Sequence, residues 1–294
     1  RHRGPDEFGV YVDGKAGIGC ARLSIVDLST GSQPIPNEDR SLWIVFNGEV
    51  YNHPELREEL ERKGHRFSTR TDTEVILHLY EDLGPDCLHR LNGQFAIAIW
   101  DTRRGELFLA RDRLGIRPLF YTLLPEGLVF GSEVKAVLLD PRVEARLDPY
   151  ALAQAFTFWA PLAPRTVFQG IRELPPGHYM RVRAGSHTIT RYWGLSFPEA
   201  GREERMGVEE AAARLRDLLA DATRLRLRAD VPVGSYLSGG LDSTLIAALI
   251  RQHVPDTLCT FSIAFQEAAF DERPYQEIAT AFLQTAHRLS LIHI

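Results

Sequence analysis

The apolar stretch Val231-Pro232-Val233-Gly234-Ser235-Tyr236-Leu237 runs directly into Ser238-Gly239-Gly240-Leu241-Asp242-Ser243-Thr244, and a helical pattern from Leu245 to His253 follows. A strand, a loop of glycines and small hydroxyl side chains, and a helix start leave few folds open. With so little side chain in the way, backbone N–H groups can approach an anion, the hydroxyls can donate to it, and the helix N-terminus adds favourable potential. The loop reads as a phosphate cradle. It is not a Walker A loop, since G-x-x-x-x-G-K-[ST] does not occur, and no G-x-G-x-x-G opens a helix. Asp242 would lie among phosphates, where a carboxylate makes sense chiefly as a Mg²⁺ ligand. The bland alternative is a glycine-rich turn with Asp242 or Ser243 as N-cap. A strand over 257–265 and a helix near Tyr275 to Leu283 then predict the opening of a parallel α/β sheet, unfinished after two or three strands.

The chain ahead of this region has a different grammar. From Phe8 to about Asp140, short apolar or alternating runs punctuated by turn residues predict a β-rich sandwich. The strands are FGVYVD, IGCARLSIV, SLWIVF, GQFAIAIWD, ELFLAR, LFYTL and LVFGS. Two helices interrupt them: His53 to Lys63, with Pro54 near its start and Gly64 beyond its end, and Asp72 to Leu83, with Ile76, Leu79, Tyr80 and Leu83 on one face. The proline-rich segment 161–180 reads as a crossover out of the first domain, followed by short strands to about Trp193, and polar residues 196–207 as a linker. Val208, Ala211, Ala212, Leu215, Leu218, Leu219, Ala222 and Leu225 then recur with helical spacing. The division expected is 1–195 and 205–294.

With 34 Lys and Arg against 39 Asp and Glu and no basic block, nothing advertises a nucleic-acid partner. Cys20, Cys87 and Cys259 are too few and too scattered for a disulfide framework, which favours a reducing, cytoplasmic setting. No apolar run approaches a membrane span, and no membrane partner is expected. The ten histidines show no H-E-x-x-H or other ligand spacing, so no zinc site is expected.

Several further motifs keep two readings. Asn47-Gly48-Glu49-Val50-Tyr51-Asn52 after an apolar strand is either a hairpin turn or an oxyanion hole made by the Asn47 amide and the Gly48 N–H; both place it on a turn. Arg22, beside Leu23-Ser24-Ile25-Val26, is either a structural ion pair or a guanidinium fork for a substrate carboxylate. Thr71 or Asp72 would cap a helix, or Asp72 would hold a substrate ammonium. Arg111 to Leu119 reads as a charged turn joining two strands. Phe270-Asp271-Glu272 lies either at the nucleotide edge of the second sheet or on a plain acidic loop. Cys20, between Gly19 and Ala21, reads as a small buried residue.

Taken in order, RGPD (Arg3 to Asp6), RLSIVDL, FNGEVYN, TDTEV, RDRLGIRPLFY, GSEVKAVL, LPPGHY and SGGLDST resemble the glutamine-hydrolysing asparagine synthetases over nearly the whole chain. The resemblance implies an α+β N-terminal-nucleophile sandwich of antiparallel sheets with helices. An incomplete α/β parallel-sheet ATP-pyrophosphatase domain would follow it. It implies glutamine hydrolysis at the first site and passage of ammonia to a second, where ATP with Mg²⁺ activates aspartate as an adenylate. Arg22 would grip the glutamine α-carboxylate, with Leu23, Ser24, Ile25 and Val26 lining the site. Asn47 and Gly48 would form the oxyanion hole, and Glu49 and Asp72 would hold the amino group. Leu237 and Ile263 would contact ATP, Ser238, Gly239, Gly240, Leu241, Asp242 and Ser243 would hold pyrophosphate, and Asp242 would face Mg²⁺. A homodimer is also implied. The family's nucleophile is an N-terminal cysteine using its own α-amine as base. This chain begins beyond that position, and Cys20, being internal, does not replace it. The family's later acidic loop is also absent, so the chain by itself is expected to be inactive. A β-lactam-type or ammonia-dependent synthetase, and a non-catalytic glutamine or nucleotide sensor, are the alternatives. The terminal LSLIHI fits the family poorly.

Overall fold

The computed structural model describes residues 2–254 and 256–292, so the last two residues of LSLIHI lie outside the described residues. The chain forms two compact units, residues 1–197 and 198–294.

The first unit opens with an antiparallel ribbon, β1 (Glu7–Val12) and β2 (Gly17–Arg22). β3 (Ile35–Pro36) and the long β4 (Leu42–Val50) lead into helices α1 (His53–Arg62), α2 (Asp72–Leu83) and the short α3 (Cys87–Arg90). β5 (Gly93–Asp101) and β6 (Glu106–Arg111) come next, then β7 (Phe120–Leu124) and β8 (Gly127–Gly131). After α4 (Val134–Val137) and α5 (Pro149–Phe158), strands β9 (Ile171–Glu173), β10 (His178–Arg183) and β11 (Ser186–Arg191) complete the unit. One six-stranded antiparallel sheet has the order β11-β10-β6-β5-β4-β3, and a second sheet has the order β8-β7-β9.

Period-two alternation decides what each face meets. Along β4, Ile44, Phe46 and Val50 join Phe95, Ile97 and Ile99 of β5 against α1 and α2, in a core with Leu56, Leu60, Val75 and Leu79. The opposite face presents Val45, Ala96, Ala98 and Leu109 to Leu119, Tyr121 and Leu174. Every residue of β6 is buried because the sheet is covered on both sides. This is the antiparallel sandwich with helices that the sequence predicts.

Three local expectations change. The stretch Asn47–Val50 is not on a turn: β4 continues through it, pairing Asn47 with Ala96, Gly48 with Phe95 and Glu49 with Gln94. Gly48 makes this possible, since a Cβ there would lie 2.1 Å from the Gln94 carbonyl oxygen and 2.8 Å from the Phe95 Cα. The predicted strand IGCARLSIV stops at Arg22, where the buried guanidinium turns the next residues into a loop. The proline-rich segment 161–180 stays inside the first unit, because β9 pairs with β7 and β10 with β6.

The second unit holds α6 (Val208–Arg226), β12 (Gly234–Tyr236), α7 (Leu241–His253), β13 (Cys259–Phe265), α8 (Arg273–Leu283) and β14 (Ala286–Ile292). Its strands form a parallel sheet in the order β12-β13-β14. Leu237, Ala247, Ile250, Leu258, Ala279 and Leu283 make its core. The apolar stripe of α6 is less buried than its spacing predicts, with Leu215 and Leu218 exposed. Periodicity marks an apolar face; only a packing partner buries it.

The charged turn after β6 is a buried knot. Arg111 donates to the carbonyls of Gly115, Arg117 and Leu174 at 2.7–2.8 Å and pairs with Glu173. The Asp112 carboxylate accepts from the backbone N–H groups of Phe95, Leu114, Ile116 and Arg117 at 3.0–3.1 Å. Asp112→Ala leaves those donors without that acceptor, and the expected loss of stability is about 2–4 kcal/mol in urea unfolding. A loss under about 0.5 kcal/mol, the level of an ordinary surface change, would contradict the knot.

Candidate active site

A cavity of about 750 Å³ lies within the first unit. Its walls come from β2, the loop after Arg22, the second half of β4, the start of α2 and the strands facing β4. Arg22, Leu23, Ile25, Val26, Asn47, Gly48, Glu49 and Asp72 all line it. Ser24 does not belong to this lining: its N–H donates to Asp6 at 2.8 Å, and its hydroxyl is buried without a partner.

Alternation along β4 explains part of the convergence. Asn47 and Glu49 share a face with Val45, away from the helices, so both side chains reach the cavity. The Asn47 Nδ2 donates to Ser132 Oγ at 3.4 Å. Asp72 arrives from the other direction. Thr71 is the N-cap of α2, its hydroxyl accepting from the Glu74 N–H at 3.2 Å. Asp72 is therefore released from capping, and its Oδ2 accepts from the Val50 N–H at 2.9 Å, tying the helix start to the strand end.

Arg22 is 7 % exposed, and its guanidinium is already shared with the fold. Nη2 donates to the carbonyls of Val26 and Asp27 at 2.8 and 2.7 Å, and Nη1 to Glu7 at 3.1 Å. Among the described residues these contacts use three of the five guanidinium N–H groups. Gly31 leaves the room: a Cβ there would lie 2.2 Å from Nη2. Asp27 pins the same loop from its far end, accepting from the N–H groups of Thr30 and Arg70.

The electrostatics are polarised. Burial pushes Glu49 up to about 7, with the neighbouring Asp72 charge adding to the rise and Arg117 opposing it. Burial also pushes Asp72 up to about 6, against the backbone donors of Val50 and Thr73 and the Arg22 charge. Two carboxyls reluctant to ionise, with a guanidinium lining the same cavity, complement a molecule carrying both an ammonium and a carboxylate. Cys20 also lines the cavity, but burial pushes its thiol up to about 11, so it offers little thiolate at neutral pH. Arg117, Ser132 and Glu7 are participants that the sequence reading did not assign to the site. Arg117 belongs to RDRLGIRPLFY, but no spacing rule ties it to Glu49.

In the second unit the glycine-rich loop leaves the carboxyl end of β12, and Gly240 is the N-cap of α7 with no side-chain cap. Gly239 has φ +85°, and a Cβ there would lie 2.7 Å from the Gln276 N–H nitrogen. Ser238 and Ser243 hydroxyls are 2.9 Å apart, and the Gly240 N–H donates to Ser238 Oγ. Leu241 and Asp242 are exposed in the first turn of α7. Leu237 is buried; its N–H donates to the Phe261 carbonyl, and its own carbonyl accepts from Ser262 Oγ. Ile263 is half exposed on β13. Asp271 of the acidic stretch is paired with Arg273 at 2.6 Å.

A glutamine amidotransferase domain model matches residues 1–193, and an asparagine synthase model matches residues 214–293. A glutamine-hydrolysing asparagine synthetase of Bacillus subtilis is 39% identical over 272 residues, covering 92% of this chain and 42% of that protein. An amidase of Penicillium rubens, chyE, is 35% identical over 90% of this chain and 41% of its own length. The chain thus spans less than half the length of these two relatives. Among solved structures, B. subtilis glutamine phosphoribosylpyrophosphate amidotransferase aligns over 95% of this chain and 52% of its own, at 18% identity and a TM-score of 0.44, too loose a likeness to bear on chemistry.

The raised carboxyls have a signature in stability. Between the ordinary Glu value and about 7, the folded state keeps a proton on Glu49 that the unfolded chain has released. Stability from this group is therefore complete at low pH and is lost as pH rises through 7. Glu49→Gln should match the parent near pH 4 and exceed it by on the order of 1–2 kcal/mol near pH 8, the low side for a half-buried group. Urea unfolding at both pH values checks this, and an unchanged difference would contradict it.

Proposed function

The chain belongs to the glutamine amidotransferase domain family, with the start of an asparagine synthase domain behind it, and on that premise we propose that it is part of a glutamine-hydrolysing asparagine synthetase. The first cavity takes glutamine, and the loop of the second unit takes ATP. The observation that carries this reading is the charged lining of the cavity, which brings Arg22, Glu49 and Asp72 together. The remaining Arg22 donors face the substrate α-carboxylate, Glu49 and Asp72 hold its ammonium, and the side-chain amide is left towards Asn47 and Gly48. There the Asn47 amide and the Gly48 N–H stabilise the oxyanion that forms as a nucleophile adds to the amide carbon. Ammonia leaves as the C–N bond breaks, and water releases glutamate. Cys20, held as a neutral thiol, is not the nucleophile in this reading.

The second unit has features that suit a nucleotide's phosphates. Gly239 has no room for a side chain, the α7 N-terminus lacks a side-chain cap, and two hydroxyls and the exposed Asp242 border the loop. Ser238 to Ser243 would hold pyrophosphate oxygens, and Asp242 would hold Mg²⁺. Bound ATP would supply activation of the aspartate carboxyl. Leu237, with its backbone already engaged, would act as a fixed floor beside the nucleotide, and Ile263 as an apolar contact.

Both halves can be tested in the full-length protein. Arg22→Ala should raise the glutamine KM about 10- to 100-fold, the equivalent of one charge-assisted clamp, while ammonia-dependent synthesis persists. Equal loss of both activities would count against the assignment. Asp242→Asn should abolish most ATP-dependent pyrophosphate release and spare glutamine hydrolysis. Normal pyrophosphate release from that variant would remove Asp242 from the site.

A further inference from the structure

On the first unit, away from the cavity, two histidines and two glutamates converge. Glu38 sits in the loop between β3 and β4, His65 follows α1, and His78 and Glu81 lie one turn apart on α2. One ligand atom from each of the four lies within 4.8 Å of all the others. Sequence spacing carries no such signal because the four come from three separated segments.

The orientation of the four groups is more specific than their proximity. Glu38, Glu81 and His65 are each held by one atom from outside the cluster. Glu38 Oε1 accepts from the Arg66 N–H at 3.1 Å, and Glu81 Oε1 from Asn37 Nδ2 at 3.0 Å. His65 Nε2 is 2.9 Å from Asp82 Oδ1. His78 Nε2 is buried, has no hydrogen-bond partner, and faces Glu74 at 3.7 Å. Glu74 is itself fixed by the N–H and hydroxyl groups of Ser68 and Thr69.

The inward atoms are then the two Nδ1 and the two Oε2. His78 Nδ1 is 3.4 Å from Glu81 Oε2 and 3.8 Å from Glu38 Oε2, and His65 Nδ1 is 3.8 Å from Glu81 Oε2. The first is a long hydrogen bond, and the other two lie beyond hydrogen-bond reach. They approach the roughly 3.3 Å edge of a tetrahedron built on the 2.0–2.1 Å bonds of zinc to imidazole and carboxylate. A carboxylate behind a ligating imidazole, as Asp82 stands behind His65, fixes the tautomer with its lone pair inward. The nearby Lys63 ammonium is drawn outward to Glu59 and the other oxygen of Asp82.

We infer that Glu38, His65, His78 and Glu81 form a binding site for a divalent transition-metal cation of the zinc class. Two imidazoles with two carboxylates suit such an ion better than Ca²⁺ or Mg²⁺, which take oxygen ligands. The ion would join the β3–β4 loop and the end of α1 to the buried α2, far enough along that helix from Asp72 to brace it without touching the cavity.

The test uses the untagged chain, stripped with a chelator, equilibrated with zinc chloride at neutral pH and passed through gel filtration. Bound metal should be one zinc per chain. His65→Asn and Glu38→Gln should each weaken zinc affinity at least about tenfold in competition with a chromophoric chelator. Zinc should raise the Tm of the parent and not of the double variant. Glu38, whose side chain is 42 % exposed, can be changed with little risk to folding. Cobalt in place of zinc should give the intense visible bands of a four-coordinate site. Zinc binding equal in the parent and the double variant would overturn the proposal, as would a chain that retains no zinc at all.

Discussion

The pairing of β4 with β5 is the constraint on which the rest of the first unit depends. Nine successive residue pairs, from Leu42 with Asp101 to Val50 with Gly93, hold one strand straight through a sequence whose local preference is to turn. The physical permission is the missing Cβ of Gly48, which lets the backbone of β4 lie against Gln94 and Phe95. Continued pairing keeps the alternation in phase, so Asn47 and Glu49 emerge on the side opposite the helix-packed core. A hairpin at Asn47-Gly48 would end the strand there and lose that placement.

A second layer of polar contacts holds the cavity open. Arg22 and Asp27 together fold residues 23–30 back on themselves, through carbonyl groups at one end and N–H groups at the other. Asp72 spans from α2 to the end of β4 through the Val50 N–H. These are buried charges that make fixed hydrogen bonds, which defines a unique geometry more than it adds stability. The same bonds leave Asp72 close enough to Glu49 that its charge adds to the raised proton affinity of Glu49. The Asp112 knot works in the same way near the start of β5, where one carboxylate gathers four backbone donors.

The second unit relies on backbone rather than side chains. Its loop gains its shape from Gly239 in the left-handed region and from packing against the start of α8, and its polarity from the uncapped start of α7. The apolar face of α6 is a contrasting case, with spacing that marks a buried helix and residues that remain in solvent.

Sequence alone was enough for those features that rest on local chemistry. The periods of 2 and 3.6 residues located most strands and both early helices, with Asp72–Leu83 matching to the residue. The small-residue loop was legible as the link between a strand and a helix start, and the ordered motifs declared a family. Those signals survive because neighbouring residues alone produce them. Tertiary structure decided the rest. Whether Asn47-Gly48 turns or runs on depends on β5, forty-odd residues away. Which Arg22 donors are committed depends on a loop whose return is set by Asp27. The gathering of Glu38 and His65 around two residues of α2 depends on three segments packed together. Such arrangements arise from burial and hydrogen bonding across the chain, where sequence spacing carries no distance information.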